Sequence, residues 1–323
     1  MAPALSIIIP HYNHAVELSH LLESICRQTM TDLEVIVVDD CSEQPCDHVI
    51  SAYYAQGLNV RLLRPEQKLY TKNARLLGVS QAKAEIVAFA DCDDVFCNPP
   101  SLAEHAARFH ETGADVLHFN TVSMDDTGAY LSVRPGLPFA EYLEGSDIFS
   151  HFVSCDRGSP VWGKLYARQL CLHIASAAWD YPIKRYSEDT CHTSLLLFHA
   201  KRYVGSDITG YRHRYKDKRE VDSAERAVAK YVMLTQLVPY LAENGCAKPL
   251  LEHFAHSLKQ KLCMHAGRFC QSAHADESFL SDAKLDALLE LADARTWMKI
   301  LAMGNGMNAS KIVQILRCGL RGE

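Results

Sequence analysis

Three carboxylates follow directly on the apolar run Ile86–Ala90: Asp91, Asp93 and Asp94, with Cys92 between the first two. An apolar run of this length, bounded by turn residues, is typical of a buried strand. Open α/β folds bind ligands at the carboxyl ends of their strands. Two carboxylates separated by one residue suit a hard divalent ion that also contacts substrate phosphates. On these residues alone, a solvated acidic turn is the preferred explanation.

Polar residues also follow two other predicted strands. Asp39 and Asp40 come after one of them, and Pro10 to Asn13 come after the first. The carboxyl ends of parallel strands meet at one edge of a sheet, so these groups should lie together. We expect Tyr12 to stack on a nucleobase, Asp40 to accept a hydrogen bond from it, and a metal at Asp93 to hold phosphates. Such a set suits a nucleoside diphosphate, although Tyr12 alone fits an ordinary loop aromatic.

A second acidic pair, Glu188 and Asp189, stands at the start of a predicted helix over 190–199. Acidic side chains in a first helical turn are favoured by the helix dipole, so a capping role fits the pair. Asp189 also suits a general base. Since an ordinary Asp has a pKa of about 3.9, burial or neighbouring acids would have to raise it for that role.

The elements that must position these groups alternate between strand and helix over the first 120 residues. Periodicity predicts strands at 5–9, 33–38, 59–63, 86–90 and 115–120, and helices at 15–28, 49–55, 71–83 and from Ser101. This alternation predicts an α/β fold with a mostly parallel, twisted sheet flanked by helices. After about residue 216 only helical stripes remain, at 227–241, 251–265, 285–292 and 311–318. We therefore expect a catalytic domain over 1–215 and a helical extension over 216–323.

The composition excludes several classes of protein. Of 323 residues, 48% are hydrophobic and 22% charged, and the net charge of −6 offers no basic surface for nucleic acid. The 12 cysteines are irregularly spaced and no secretory leader is evident, which favours reduced thiols in the cytoplasm. No apolar run approaches the roughly 18 residues of a membrane span.

Five motifs in register resemble the family 2 glycosyltransferases, which are inverting enzymes with the GT-A fold. They are Ser6-Ile-Ile-Ile-Pro-His-Tyr-Asn13, Leu33-Glu-Val-Ile-Val-Val-Asp-Asp-Cys-Ser42, Ala88-Phe-Ala-Asp-Cys-Asp-Asp94, Val161-Trp-Gly-Lys-Leu-Tyr166 and Ser187-Glu-Asp-Thr190. The resemblance covers about residues 4–215. The chain departs from the family pattern at Leu76, where Asn is usual, at Cys41, where Gly is usual, and at Cys92, where Ser is commoner.

The resemblance implies a role for each matched position. The residues implied to contact the nucleotide are Pro10, Tyr12, Asn13, Asp40, Arg75 and Asp91. Asp91 and Asp93 form the metal-binding Asp-x-Asp motif, with Mn²⁺ or Mg²⁺ as the cofactor and Asp94 able to substitute. Asp189, or otherwise Glu188, matches the catalytic base, and Trp162 and Lys164 match positions beside the sugar and the acceptor.

The implied activity is transfer of a sugar from a UDP-sugar donor to a hydroxyl of a glycan or glycolipid acceptor. A sugar nucleotidyltransferase shares the alternating fold, but it needs a glycine-rich phosphate loop that Pro10 to Asn13 do not provide. A phosphatase with Asp91 as nucleophile usually has Thr where Val95 stands. A degenerate nucleotide-sugar binding module is the non-enzyme alternative, and intact Asp93 and Asp189 argue against it.

Weaker patterns leave further partners open. The segment Tyr211 to Lys216 is basic and aromatic. It suits contact with phosphate on the donor or on a lipid-linked acceptor, with His213 as a further metal ligand, and it equally suits a solvated strand end. The metal-ligand types Cys263, His265, Cys270 and His274 match no zinc spacing and are better explained by helix packing. Three cations, Lys311, Arg317 and Arg321, would allow association with the inner face of a membrane. The helical extension would allow a homo-oligomer.

Overall fold

The computed structural model describes residues 2–125, 129–134, 142–155, 160–176, 188–215, 226, 229–230 and 232–272. The strands are β1 (Leu5–His11), β2 (Leu33–Asp39), β3 (Val60–Leu63), β4 (Ile86–Phe89), β5 (Val95–Phe96), β6 (Val116–Met124), β7 (Tyr130–Arg134), β8 (Tyr142–Glu144), β9 (Lys164–Ala167) and β10 (Arg202–Arg214). The helices are α1 (Ala15–Cys26), α2 (Asp47–Ala55), α3 (Tyr70–Gln81), α4 (Ser101–Thr112), α5 (Ser146–Cys155), α6 (Arg168–Ser176), α7 (Glu188–His199), a π-helical segment (Met233–Leu237), α8 (Val238–Glu243) and α9 (Lys248–Ser272).

The described strands form one sheet in the order β3-β2-β1-β4-β9-β6-β10-β5, with β7 paired to β6 and β8 to β10. Strands β3, β2, β1 and β4 run parallel, as the alternation predicts. Strand β9 runs antiparallel to both of its neighbours, β4 and β6, whereas β6 and β10 are parallel to each other. The sheet is therefore parallel in its amino-terminal half and mixed overall.

The apolar runs fold as central strands because helices cover both faces of the sheet. Every residue of β2 and β4 is buried, and only Pro10 of β1 is partly exposed. Helix α1 buries Leu18, Leu21 and Leu22 against this core. Gly78 of α3 allows close packing, because a Cβ there would stand 2.4 Å from Cγ2 of Ile8.

The chain divides into two compact units. The first comprises residues 1–179 and 192–217 and contains the sheet; the second comprises 180–191 and 218–323. Within the described part of the second unit, the π-helical segment and α8 pack with α9. The predicted boundary at 215/216 stays a prediction, and the structure adds residues 180–191 to the second unit.

Of the helices that the structure describes, none is long and apolar enough to cross a lipid bilayer. The predicted helices at 285–292 and 311–318 lie outside the described residues, as do Lys311, Arg317, Arg321, Lys216 and His274. The helix predicted at 251–265 is present as part of α9, in which His265 is buried.

Candidate active site

The carboxyl ends of β1, β2 and β4 meet at one edge of the sheet. Register pairs Leu5 with both Leu33 and Ile86, so the three strands run level. The amide of Asp40 donates to the carbonyl of His11 over 2.8 Å. The segments that follow these strands, which carry most of the predicted nucleotide-binding residues, therefore share one rim.

Asp40 is buried and holds the loop that precedes α3. Its two carboxylate oxygens accept hydrogen bonds from the backbone amides of Leu69 at 2.5 Å and Tyr70 at 2.9 Å. Tyr70 has a φ of +62°, in the left-handed region that a bulky residue adopts only when its surroundings impose it. The carboxylate predicted to contact the base thus first shapes the loop beside it.

The predicted stacking residue Tyr12 is half-buried, and the same loop covers one face of its ring. The Nζ atom of Lys68 lies 3.0 Å from the ring centroid. A cation over an aromatic face is attracted by the ring quadrupole. Lys68, Leu69 and Tyr70 therefore bring the loop onto both residues that are predicted to contact the base.

Asn13 connects the loop after β1 to the loop after β2 by hydrogen bonds. Its side-chain oxygen accepts from the amides of Glu43 at 2.9 Å and Gln44 at 3.3 Å, and its own amide donates to Oγ of Ser42 at 2.9 Å. Its φ of +56° suits Asn, which tolerates the left-handed conformation. Cys41 has a φ of +61°, which explains physically why glycine suits that position.

His11, Asp39 and Cys46 form a buried polar cluster next to Ser42. The potential ligand atoms of His11, Asp39 and Cys46 all lie within 4.8 Å of one another. Nε2 of His11 accepts from the amide of His14 at 3.3 Å, so Nδ1 carries the proton and faces Asp39 at 3.4 Å. Burial raises the pKa of the Cys46 thiol to about 11. This protonation pattern favours a hydrogen-bonded brace over a metal site.

Burial also lowers the pKa of His11, against the opposing effect of Asp39. For Asp39 itself, burial alone would raise the pKa. Hydrogen bonds from Ser42 and Arg64 outweigh it and hold the pKa below its usual value. Asp39 is therefore ionised and engaged with its neighbours, and the role of Asp40 toward a nucleotide stays a prediction.

Arg75, in the middle of α3, forms an ion pair with Asp91. Nη2 of Arg75 donates to Oδ1 of Asp91 over 2.7 Å, and the arginine side chain is only 1% exposed. The amide of Asp91 donates to the hydroxyl of Tyr211 over 3.0 Å. The first acid of the Asp-x-Asp motif is thus fixed by a buried guanidinium.

Pro10 and Cys92 tie β1 to the same turn. The Cys92 thiol, which is buried, donates to the carbonyl of Pro10 over 3.0 Å. A small side chain is required at this position because the turn packs directly on β1.

Asp94 is turned inward and holds His213. Its buried carboxylate accepts from Nδ1 of His213 at 3.0 Å and from the backbone amide of Arg214 at 2.8 Å. The His213 ring stacks on Trp162, with centroids 4.5 Å apart, and Trp162 also stacks on Tyr211 at 5.5 Å. Burial raises the pKa of Asp94, against the opposing hydrogen bond and charge of His213. This carboxylate therefore serves as an internal anchor.

The remaining acid of the motif, Asp93, is partly exposed and lines a cavity of about 230 Å³. The other residues that line the cavity are Glu17, His20, Val95, Met124, Asp125, Arg212 and Arg214. Within the Asp-Cys-Asp-Asp cluster, Asp93 is thus the member that lines this cavity.

Trp162 and Lys164 are both buried, at 5% and 1% exposure. Nζ of Lys164 donates to the carbonyl of Pro160 over 2.7 Å. Gly163 between them has a φ of +71°, and a Cβ there would stand 2.6 Å from Cγ2 of Thr121. The structure uses both side chains to shape the segment before β9, and their predicted contact with sugar or acceptor stays a prediction.

Glu188 and Asp189 occupy the first turn of α7, as the sequence predicts. They belong to the second compact unit together with residues 180–191. The catalytic role of Asp189, with Glu188 as its alternative, stays a prediction.

The donor chemistry of the rim fits a hard divalent ion. Carboxylate oxygens are the preferred ligands of Mg²⁺ and Mn²⁺. Asp93 supplies such an oxygen at the cavity wall, and Asp91 stands two residues before it, with one oxygen on Arg75. Asp94 is engaged elsewhere, so Asp93 with Asp91 is the set that suits the ion.

Sequence reasoning missed two contacts of the site: Lys68 over Tyr12, and the hydrogen bond between Asp94 and His213. It named the segment Tyr211 to Lys216 for phosphate contact but not the division of that strand into two faces, for which the alternation of aromatic and basic residues was a signal. Period-2 alternation of aromatic and basic residues predicts a strand with two chemically different faces.

The chain is similar to known glycosyltransferases. The family model described as glycosyl transferase family 2 matches residues 6–147. An uncharacterized glycosyltransferase, YwdF of Bacillus subtilis, is 30% identical over 235 residues, which are 66% of this chain and 82% of that protein. The chain spans less of other relatives: 42% of one glycosyltransferase and 30% of another.

Two solved structures are similar over nearly the whole chain. The first is Staphylococcus aureus TarS 1-349 in complex with UDP-GlcNAc, with a TM-score of 0.61, 18% identity, and coverage of 100% of this chain and 93% of that one. The second is the mannosyltransferase PcManGT from Pyrobaculum calidifontis with GDP-Man and Mn²⁺. Its TM-score is 0.53 at 16% identity, and coverage is 94% of this chain and 85% of that one.

Proposed function

The chain belongs to glycosyl transferase family 2 and has the expected GT-A fold, and from this premise we propose that it moves a sugar from a UDP-sugar to a hydroxyl of a glycan or glycolipid acceptor. The reaction is one metal-dependent displacement that inverts the anomeric centre. The proposal rests on the different surroundings of the three acids of the cluster Asp91-Cys92-Asp93-Asp94. Arg75 fixes Asp91 and His213 engages Asp94, while Asp93 alone lines the cavity.

The nucleoside side of the rim, defined as Tyr12, Asp40, Arg75 and Asp91, binds the UDP part of the donor. Tyr12 offers a ring for stacking on uracil. A carboxylate can accept up to about four hydrogen bonds, so Asp40 can contact the base while it holds the amides of Leu69 and Tyr70. Since these groups are already ordered by internal bonds, binding costs little side-chain entropy.

Asp93 and Asp91 would hold Mn²⁺ or Mg²⁺, which supplies Lewis-acid neutralisation of the leaving diphosphate. The negative charge that develops on the leaving diphosphate must be opposed because its electrostatic energy is large. One unit charge pair about 4 Å apart is worth about 4 kcal/mol at an effective dielectric of 20, against about 1 kcal/mol in water. The buried guanidinium of Arg75 holds Asp91 in place beside this site.

Asp189 takes the proton of the acceptor hydroxyl as its oxygen attacks the anomeric carbon from the face opposite the leaving UDP. Attack from the opposite face inverts the configuration. General-base assistance of this kind contributes about 10²- to 10⁴-fold to the rate. Glu188 is the alternative base, one residue away.

We place the reaction in the cytoplasm, with an acceptor presented at the inner face of the membrane. Each cysteine whose state the structure describes is a free thiol, which suits a reducing compartment. The membrane contact itself rests on the three carboxyl-terminal cations of the sequence.

The direct test is UDP release from UDP-GlcNAc, UDP-glucose and UDP-galactose with Mn²⁺, with and without EDTA, and with GDP-mannose as a control donor. We expect metal-dependent UDP release from at least one donor and a UDP-induced rise in melting temperature. Absence of both would overturn the proposal. Asp189→Asn should abolish transfer and keep UDP binding; if it retains full activity, Glu188→Gln tests the alternative base.

A further inference from the structure

The strands that line the cavity beside Asp93 lie on the other side of β4 from the strands that lead to Tyr12 and Asp40, and α1 contributes Glu17 and His20 to the cavity. In the strand order β2-β1-β4-β9-β6-β10-β5, Asp40 follows β2 and Tyr12 follows β1. Met124 ends β6, and Arg212 and Arg214 belong to β10. Asp93 comes just after β4, between the two groups. If the nucleoside occupies the first side, the cavity faces the side from which an acceptor must approach.

Two arginines share the cavity face of β10. The pairing of β10 with β6 is regular over residues 211–214, so successive side chains alternate between the two faces of the strand. Tyr211 and His213 stack with Trp162 on one face, whereas Arg212 and Arg214 line the cavity. Residues two apart on one strand stand about 7 Å apart, so the guanidinium groups can converge on one ligand group.

The guanidinium groups are uncommitted within the part of the chain that the structure describes: neither forms a hydrogen bond or ion pair there. The acids that share the cavity have partners. Glu17 pairs with His14 at 3.5 Å, and Asp125 accepts from the amide of Ala129 at 2.9 Å. The two guanidinium groups are therefore the side-chain donors of this cavity that are available to a ligand.

We propose that Arg212 and Arg214 bind a phosphate group carried by the acceptor, next to Asp93. This inference rests on the proposed function and specifies its acceptor class. Guanidinium groups match phosphate oxygens with paired, charge-assisted hydrogen bonds. A cavity of about 230 Å³ is smaller than the roughly 300–1,000 Å³ of a whole-ligand pocket, so it suits a phosphate and a few neighbouring atoms.

Anchoring the acceptor by its phosphate would hold the attacking hydroxyl close to the donor sugar. Such positioning converts an encounter in solution into an effectively unimolecular step. The phosphate could belong to a soluble glycan phosphate or to a lipid headgroup, and both present the same group to the arginines.

The test uses the full chain saturated with UDP and Mg²⁺, a diamagnetic ion that does not broaden the ligand signals, so that the donor site is filled. Ligand-observed NMR then measures binding of glycerol 3-phosphate, with glycerol as the uncharged control. We expect glycerol 3-phosphate to bind and glycerol not to bind. The double variant R212Q/R214Q should weaken glycerol 3-phosphate binding at least about tenfold, as expected for one lost charge-assisted contact. Arg27→Gln, which alters the exposed arginine that follows α1 and pairs with Glu23, is the matched control and should leave glycerol 3-phosphate binding unchanged.

The outcomes separate this inference from the proposed function. Failure of the wild type to bind UDP with Mg²⁺ or Mn²⁺ overturns the proposed function. If the protein binds UDP but binds neither glycerol 3-phosphate nor vesicles that contain phosphatidic acid, only the acceptor site is overturned. An equal loss of UDP affinity in R212Q/R214Q assigns the arginines to the donor diphosphate and also overturns it.

A second experiment, binding of the protein to lipid vesicles, identifies the source of the phosphate. Co-sedimentation with phosphatidylcholine vesicles that contain phosphatidic acid, lost in R212Q/R214Q, assigns a lipid headgroup; binding of glycerol 3-phosphate alone assigns a soluble acceptor. If the double variant fails to fold, Arg212→Lys and Arg214→Gln replace it. Lysine keeps the charge and loses the paired geometry, so partial binding by Arg212→Lys alone supports the site.

Discussion

The two sides of the rim use their charged side chains in opposite ways. On the nucleoside side, Asp40 accepts two backbone amides and Asp91 is paired with Arg75. On the cavity side, defined as Asp93, Asp125, Arg212 and Arg214, the two guanidinium groups have no bond within the described residues. The first side is ordered before any ligand arrives, which suits a nucleotide of constant shape. The second keeps charge available, which suits recognition of one charged group on a variable acceptor.

The largest expected effect tests Asp93, where the two sides meet. Asp93→Asn should lower metal-dependent UDP affinity about 10²- to 10³-fold, because several kcal/mol of charge stabilisation are lost with a metal ligand. Isothermal titration with UDP, with and without Mn²⁺, measures it. Asp94→Asn is the matched control, since Asp94 anchors His213 inside the protein. It should lower the free energy of unfolding by about 1–3 kcal/mol and leave UDP affinity nearly unchanged. Equal losses of affinity in both variants would remove the distinction between them.

The next effect concerns His105, a buried residue of α4 that stacks on Phe119 at 4.3 Å. Burial lowers its pKa to about 4, from an ordinary value near 6.5. The folded state therefore disfavours protonation, and its stability is lost as pH falls through this window, by about 3 kcal/mol in total. In His105→Leu, this part of the loss between about pH 7 and about pH 4 should disappear. Urea unfolding at several pH values measures it.

The exposed His110 of the same helix provides the control, because His110→Leu should keep the acid-dependent loss. A pH profile of His105→Leu that matches the wild type would mean that His105 is not the group responsible.

A smaller effect is expected at Asp40. Asparagine has one acceptor oxygen where Asp40 accepts two amides, so Asp40→Asn should lower the free energy of unfolding by about 1.5–3 kcal/mol and weaken UDP binding. Chemical denaturation and UDP titration measure the two consequences. Asp47→Asn removes an exposed carboxylate that pairs with Arg64 and should leave both nearly unchanged. Undiminished stability in Asp40→Asn would show that the nucleoside side is not ordered by this carboxylate.

The smallest expected effect concerns the backbone at Cys41, which has a φ of +61°. Cys41→Gly should be more stable than Cys41→Ala by about 1 kcal/mol, because a Cβ is unfavourable in this conformation. Comparing glycine with alanine removes the contribution of the thiol. The difference in melting temperature between the two variants measures it, and alanine equal to glycine would indicate that the loop relaxes without cost.

Much of the nucleoside side was predictable because it depends on local patterns. Apolar runs with helices between them predicted β1, β2 and β4 as parallel strands, and strand ends predicted where Asp40 and Asp91 emerge. The cavity side was not predictable in the same way. It requires β9 to insert antiparallel between β4 and β6, and β10 to return beside β6 from about 80 residues later in the sequence.

The sequence by itself determined the alternating fold, the acids at the strand ends and the family, since these follow from period, strand length and motif spacing. Only the tertiary structure decided which groups surround each acid. Asp91, Asp93 and Asp94 are chemically alike and nearly adjacent, and they differ only in their neighbours: Arg75, a cavity, and His213 under Trp162. Those neighbours come from distant parts of the chain, and a carboxylate's role depends on the charges and the burial that packing places around it.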